Sequence, residues 1–467
     1  MIKLQLDAAS KLSLVEQIRQ GLMALIDQST LATGAKLPSV RILALQLGVS
    51  KYTVADAYER LVALGYLQPH AGSGYFVCRI GSRPPTETSS QPPHTGLAFD
   101  HLWLGRQQLA NAPGLLHISS GSLPRDWDDK SLMQRALRQV ANHARAALGD
   151  YGDPFGYLPL REMMQMRLAS MGLRVSPSQI VLTHGATHAL ELLIRLLLKA
   201  GDRVLVEDPG YCSLFGNLQL QGVSMLGVPR LADGPDLAVL EQLIAEHQPK
   251  IFFLQSLMHN PTGSSILPAC AHRLLQLATK YNLRLVEMDF YADLASPLQT
   301  RLATLDHLEQ VIYIGALSKT MLGPVRLGYL SCGPVLANEL ANVKLLSSVT
   351  SAQLNERLAF QVLTDKACRR HMDLTASRLH EGIVTSIRQL QNKGFVLHNE
   401  PNCGKYLWVR HTEFASSDSL ASQARGAGLL IAPGRVFRPN QQDTPWFRVN
   451  VAQTSQPQWS AWLNQLC

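Results

Sequence analysis

The chain has 467 residues, 46 % hydrophobic and 17 % charged, with 43 Lys and Arg against 35 Asp and Glu for a formal charge of +8. Such apolar content excludes a long disordered chain, and the length suits roughly two to four domains. A charge this mild permits a nucleic-acid partner without requiring one.

The N-terminal stretch, residues 1–7, has no long apolar run and no small-residue cleavage site. The most apolar helical stretch, residues 189–200, is interrupted by Glu191, Arg195 and Lys199, too short and too charged to cross a bilayer. The seven cysteines are scattered, odd in number and without a CxxC pair. That argues against a disulfide framework and a metal site, and for a reducing cytoplasm.

Residues 1–79 read as three helices and a hairpin. Leu14, Ile18, Leu22, Leu25 and Ile26 recur at helical spacing. Ser39 is placed to cap a second helix with Val40, Leu43, Ala44 and Leu47 inward. Gly48-Val49-Ser50 forms the turn, and Ser50 caps a third helix whose inward residues are Val54, Ala57, Tyr58, Leu61 and Leu64. Gly65 stands where a left-handed C-cap is needed. Two short strands follow, Tyr66-Leu67 and Tyr75-Phe76-Val77, joined through His70–Gly74.

That order describes a winged helix-turn-helix. Lys51, Tyr52 and Thr53 occupy the first turn of the third helix, the part that meets base edges in the major groove. Arg41 is positioned for a phosphate, and the hairpin tip for the minor groove. Leu37-Pro38-Ser39-Val40-Arg41, Leu47-Gly48-Val49-Ser50, Thr53-Val54, Ala57-Tyr58 and Gly72–Val77 resemble the GntR-type winged-helix domain. The resemblance implies double-stranded DNA as a partner, touched by Arg41, Ser50, Lys51, Tyr52, Thr53 and the wing glycine Gly72.

Residues 80–115 read as a flexible linker, because the segment from Gly81 to Thr95 is dense in Pro, Ser and Thr with no apolar period. From Leu116 to Cys467, helical patterns alternate with the apolar runs Val181–Thr183, Val204–Val206, Ile251–Leu254, Leu283–Val286 and Val311–Ile314. The alternation predicts an α/β domain with a mostly parallel sheet, whose ligands bind beyond the carboxyl ends of the strands.

The chemistry-bearing residues fall at those ends. Gly185, Ala186 and Thr187 open a helix with free N–H groups suited to an anion. Tyr211 follows the second run, Asn260 the third, Asp289 and Tyr291 the fourth, and Lys319 and Arg326 the fifth. An anion nest, an aromatic face, an amide, a carboxylate, a phenol, a lysine and an arginine together suit pyridoxal 5'-phosphate. The nest and Arg326 would hold its phosphate, and Tyr211 would stack on the ring. Asp289 would face the ring nitrogen, Asn260 and Tyr291 the phenolic oxygen, and Lys319 the aldehyde.

The region resembles the fold-type I aminotransferases of class I/II, through Tyr151–Pro154, Gly156–Arg161, Glu207–Tyr211, Asn260–Gly263, Ser318-Lys319, Arg326–Tyr329 and Arg448. The resemblance implies that Lys319 is the catalytic lysine, that Arg448 clamps a carboxylate, and that Tyr151 approaches a partner subunit's cofactor. Three positions depart from the pattern: Ala316 replaces a hydroxyl residue, His188 stands where Gln is frequent, and Met288 occupies the usual acidic position. Either Asp289 takes the acidic role through a shifted strand end, or the ring lacks a carboxylate.

A GntR-type winged helix, a Pro-rich linker and an aminotransferase-like domain in one chain resemble the MocR family of bacterial transcription regulators. The resemblance implies a cytoplasmic head-to-tail homodimer that senses an amine, amino acid or vitamin B6 compound. A working transaminase with an appended DNA-binding domain is the alternative.

Overall fold

The computed structural model describes Leu4, Leu6, Asp7, Ser10 and residues 12–70, 72–78, 100–109, 114–143, 151–317 and 323–466. It divides into two units, Met1–Ala98 and Phe99–Cys467.

In the first unit, α1 (Leu14–Asp27) begins where the Ser13 side chain accepts the Glu16 N–H, and it buries Ile18, Leu22 and Ile26 at four-residue spacing. The helices α2 (Val40–Leu47) and α3 (Lys51–Ala63) are capped in the same way by Ser39 and Ser50. Between them Gly48 adopts φ +66°, the left-handed conformation that ends α2. The strands β1 (Leu67–His70) and β2 (Gly74–Val77) pair antiparallel, with His70 opposite Gly74. Leu43, Val54, Ala57, Tyr58, Leu61, Leu67 and Val77 close one apolar core. Three expected core residues stay outside it: Leu25 is half-buried, and Leu14 and Leu64, at helix ends, are 39 % and 53 % exposed.

The second unit begins inside the expected linker. Asp100–Leu109 is a helix, α4, and its Leu104 is buried against Cys212, Trp408 and Phe437. The linker reading therefore extended too far: Leu104, with Trp103 partly buried beside it, anchors this helix against residues distant in the chain. Residues 80–99 and 110–113 lie outside the described residues.

Eight strands form the main sheet: β3 (Ile180–Thr183), β4 (Arg203–Asp208), β5 (Ser224–Leu231), β6 (Gly234–Pro235), β7 (Ile251–Leu254), β8 (Arg284–Asp289), β9 (Val311–Ala316) and β10 (Gly328–Ser331). Their order is β3-β10-β9-β8-β7-β4-β5-β6. The pairs among β5, β4, β7, β8 and β9 are parallel, whereas β10 runs antiparallel to both β3 and β9. The continuous apolar runs follow from burial on both faces. Two apolar clusters flank the sheet, one holding Tyr313 and Tyr329, the other Ala186, Met288 and Tyr291.

A separate antiparallel sheet holds β11 (Phe395–Leu397), β12 (Tyr406–His411) and β13 (Trp446–Asn450) in that order. Its β13 brings Arg448 opposite Trp408. No described helix is long and apolar enough to cross a membrane.

Candidate functional site

After β3 the chain turns at Gly185, with φ +83°, directly into the Ala186–Leu197 helix, where no side chain caps the end. The His188 and Ala189 amides bond back to the Gly185 carbonyl, which leaves those of Ala186 and Thr187 outside the helical ladder. A Cβ added at Gly185 would sit 3.2 Å from Nη2 of Arg326. At Gly328 a Cβ would meet the Ala186 nitrogen at 2.6 Å, so β10 must carry glycine where it passes the turn. Two open amides, a helix N-terminus and a guanidinium thus share one small space, the donor set a phosphate dianion needs.

His188 belongs to the same turn. Its Nδ1 accepts the His184 N–H at 3.2 Å, and the two imidazoles stack at 5.2 Å. Burial, with the positive groups nearby, lowers the His188 pKa from 6.5 to about 4. A base with a depressed folded pKa contributes stability above its unfolded value and loses it as pH falls. His188→Gln is therefore expected to reduce the loss of stability between pH 6.5 and 4 by about 2 kcal/mol, after allowance for its part-exposure. Urea unfolding at both ends of that window measures it, and an unchanged difference would contradict it.

At the ends of β7 and β8, Asn260 and Tyr291 are 4 % and 2 % exposed. Asn260 accepts Nη1 of Arg448 at 2.6 Å and donates its N–H to Oε1 of Gln255 at 2.8 Å. Tyr291 donates its hydroxyl to that of Tyr406 at 3.2 Å, and burial holds its pKa well above the ordinary value. The Arg448 guanidinium lies 4.4 Å from the Tyr406 ring centroid and 4.7 Å from that of Phe437, and it also donates to the Ser119 carbonyl. Tyr211 meets Phe290 edge-on at 5.0 Å. These groups line one cavity: Tyr211, Asn260, Tyr291, Tyr406 and Arg448, with Leu104 and Gly105 of α4 at its wall.

A buried network supports the Asn260 loop. Glu207 accepts Nη1 of Arg230 on Oε1 at 2.6 Å and the Gln255 N–H on Oε2 at 2.8 Å, and Nε2 of His259 also stands 3.2 Å from Oε2. Its charged neighbours lower the Glu207 pKa despite burial.

The structure brings together Gly185, Ala186, Thr187 and Arg326 at one end, and Tyr211, Asn260, Tyr291 and Arg448 in the cavity. Tyr151 is 81 % exposed. Asp289 is committed elsewhere: its Oδ2 accepts Nε of Arg301 at 2.7 Å and the Tyr313 hydroxyl at 2.9 Å. Lys319 lies outside the described residues. Sequence reasoning missed Tyr406, Lys405, Ser119 and α4. Lys405 is 2 % exposed and donates to the Gly121 carbonyl at 2.6 Å, and the dipeptide Lys405-Tyr406 at a strand start was the only signal of it.

In the first unit, Lys51 and Tyr52 are exposed, with the ammonium 5.3 Å from the ring centroid. Ser50 spends its hydroxyl on the Thr53 N–H at 3.1 Å. Arg41 is exposed at the start of α2, and Gly72 in the wing has φ +73°.

The fold and site define an aminotransferase-type α/β unit with a winged helix ahead of it. Residues 113–466 match the family model "Aminotransferase class I and II", and residues 14–77 match "Bacterial regulatory proteins, gntR family". The chain belongs to the aminotransferase class I and II family, in the MocR-type fusion with a gntR-family domain that its sequence resembles. It is 28 % identical to the HTH-type transcriptional regulator YdcR of Escherichia coli, over 94 % of each chain. It is 26 % identical to the HTH-type transcriptional regulator YdfD of Bacillus subtilis, over 90 % of this chain and 89 % of that one. Among solved structures, the α-aminoadipate aminotransferase LysN of Thermus thermophilus, complexed with N-(5'-phosphopyridoxyl)-L-leucine, superposes with a TM-score of 0.70 at 23 % identity, over 78 % of this chain and 95 % of that one.

Proposed function

We propose that the chain is a pyridoxal-phosphate-binding transcription regulator whose aminotransferase-type unit receives an amine or amino acid and whose winged helix binds DNA. The observation that carries this reading is the joining of the two family domains in one chain, together with full-length relatives named as regulators. The cradle of Gly185, Ala186, Thr187 and Arg326 fits the cofactor's phosphate, and its close approach leaves no room for a Cβ at Gly328.

When bound, the cofactor supplies an aldehyde that condenses reversibly with primary amines. Lys319 would hold it between ligands. Asn260 and Tyr291 are suited to its phenolic oxygen, and Tyr211 to a ring face. Arg448 would receive a ligand carboxylate, since its fork geometry suits two oxygens. Its rigid support by Asn260, Ser119 and two aromatic rings holds that fork in one orientation. The exposed Tyr151 would serve a second copy's site in a head-to-tail homodimer. An amine alters DNA binding only as far as it prefers one conformation of the chain over another.

On DNA, Lys51, Tyr52 and Thr53 would read base edges, with Arg41 on a phosphate and Gly72 in the wing. Arg41→Ala is expected to weaken binding alike on all sequences and to lower the salt slope by roughly one. Lys51→Ala is expected to cost about 1–3 kcal/mol on the selected site and relax its specificity. Fluorescence anisotropy on DNA selected in vitro reads both, and unchanged affinity in both variants would sink the reading of α3 as the recognition helix.

A further inference from the structure

Consecutive residues of a strand face opposite sides of its sheet. At the end of β8, Met288 is 2 % exposed in the apolar cluster that also holds Ala186, Tyr291 and Ala316. Asp289 faces the other side, where Arg301 and Tyr313 hold its Oδ2. Tyr313 belongs to the opposite apolar cluster. Asp289 is 0 % exposed and Arg301 1 %, so the pair is closed off from water.

The sheet order fixes what a ligand meets. The phosphate cradle stands at the ends of β3 and β10, and Asn260 and Tyr291 follow β7 and β8. A pyridoxal ring held at both ends must cross the ends of β9 and β8. Its nitrogen is para to the carbon that bears the aldehyde. With the aldehyde turned to an incoming amine, the nitrogen turns toward the protein at the end of β8. There the residue on the side of the Ala186–Leu197 helix is Met288, and a thioether is at most a weak acceptor that cannot hold a proton on a ring nitrogen.

We infer that Met288, and not Asp289, borders the ring nitrogen, and that this nitrogen stays unprotonated at neutral pH. The inference rests on the proposed cofactor binding. A neutral ring still condenses with amines, because that chemistry belongs to the aldehyde. It is a poor acceptor for the electron pair left when a proton leaves the ligand's α-carbon. Capture of an amine is thereby separated from its conversion, which is what a sensor needs and a transaminase does not.

The rival is Asp289 itself. Its Oδ1 is buried without a hydrogen-bond partner among the described residues, and a shifted strand end would aim it at the ring. Solid-state ¹⁵N NMR of the full chain loaded with ring-¹⁵N pyridoxal phosphate separates the two. The wild type is expected to give the resonance of a neutral pyridine nitrogen at pH 7, unchanged in Asp289→Asn. Met288→Asp is expected to move it upfield, the direction of protonation. A protonated resonance in the wild type overturns the inference, and its loss in Asp289→Asn would assign the role to that carboxylate. The wild-type spectrum decides without the variants, should either fold poorly. A chain that takes up no label overturns the cofactor reading itself, and this inference with it.

Discussion

Lys319→Ala is expected to abolish covalent attachment of pyridoxal phosphate to the chain. After hydride reduction and denaturation, mass spectrometry should find one pyridoxyl group on the wild type, at Lys319, and none on the variant. Among the described residues of the unit two lysines are buried, and both are poor substitutes. Lys344 donates its ammonium to the Leu182 carbonyl at 2.8 Å, and Lys405 donates to that of Gly121 at 2.6 Å. Burial lowers the Lys344 pKa to about 8, yet its hydrogen bond points it at the Leu182 carbonyl of β3. The proposed phosphate cradle is made by Gly185, Ala186, Thr187 and Arg326, so the variant is expected still to bind the cofactor without a covalent bond. A pyridoxyl group on Lys344 or Lys405 of the wild type would contradict the assignment.

Arg301→Leu is expected to carry the largest stability loss. It removes the charged partner of Asp289 from a fully buried pair and leaves the carboxylate with only the Tyr313 hydroxyl. Breaking a buried pair from one side costs about 3–5 kcal/mol, because the remaining charge keeps its desolvation penalty. Adding Asp289→Asn to the same chain should recover part of that loss, since the neutral amide has less to lose by burial. Chemical denaturation of the three variants measures both steps. A double variant no more stable than Arg301→Leu would mean that the pair contributes by packing and not by charge.

The winged helix was legible in detail because its signals are local. Ser39, Ser50, Gly48 and Gly65 act on residues within one turn of themselves, and each stands in the role its chemistry dictates. The parallel strands were legible for a related reason: buried on both faces, they read as unbroken apolar runs. By contrast, β5 contains Gly227 and Pro229, and the four-residue β10 opens on Gly328, so neither carried a run to find. The strands β11 and β12 were missed as elements, although Arg448 on β13 was named. The small sheet closes through contacts between residues far apart in the chain, which no short window contains.

The same distinction divides the site. Residue types at strand ends pointed to the cradle, Asn260 and Tyr291, and the family resemblance pointed to Arg448. What they could not reveal is which face of β8 each residue occupies. That depends on Arg301, twelve positions beyond Asp289, reaching back to claim its carboxylate. A carboxylate beside a tyrosine reads as a ligand until its partner is known. The linker boundary failed similarly, since α4 is helical because Leu104 finds Cys212 and Trp408, not because of its own pattern.

On the proposed function, an amine captured in the aminotransferase-type unit changes how the winged helix binds DNA. The most direct test is a footprint of the full chain, loaded with pyridoxal phosphate, on DNA selected in vitro, with and without a panel of amines and amino acids. The same samples are assayed for keto acid. One amine is expected to change the footprint reversibly, with no keto acid accumulating, and Lys319→Ala is expected to remove the response. A footprint indifferent to every amine, with keto acid formed in proportion to amine consumed, would contradict the proposed function and make the chain a transaminase that carries a DNA-binding domain.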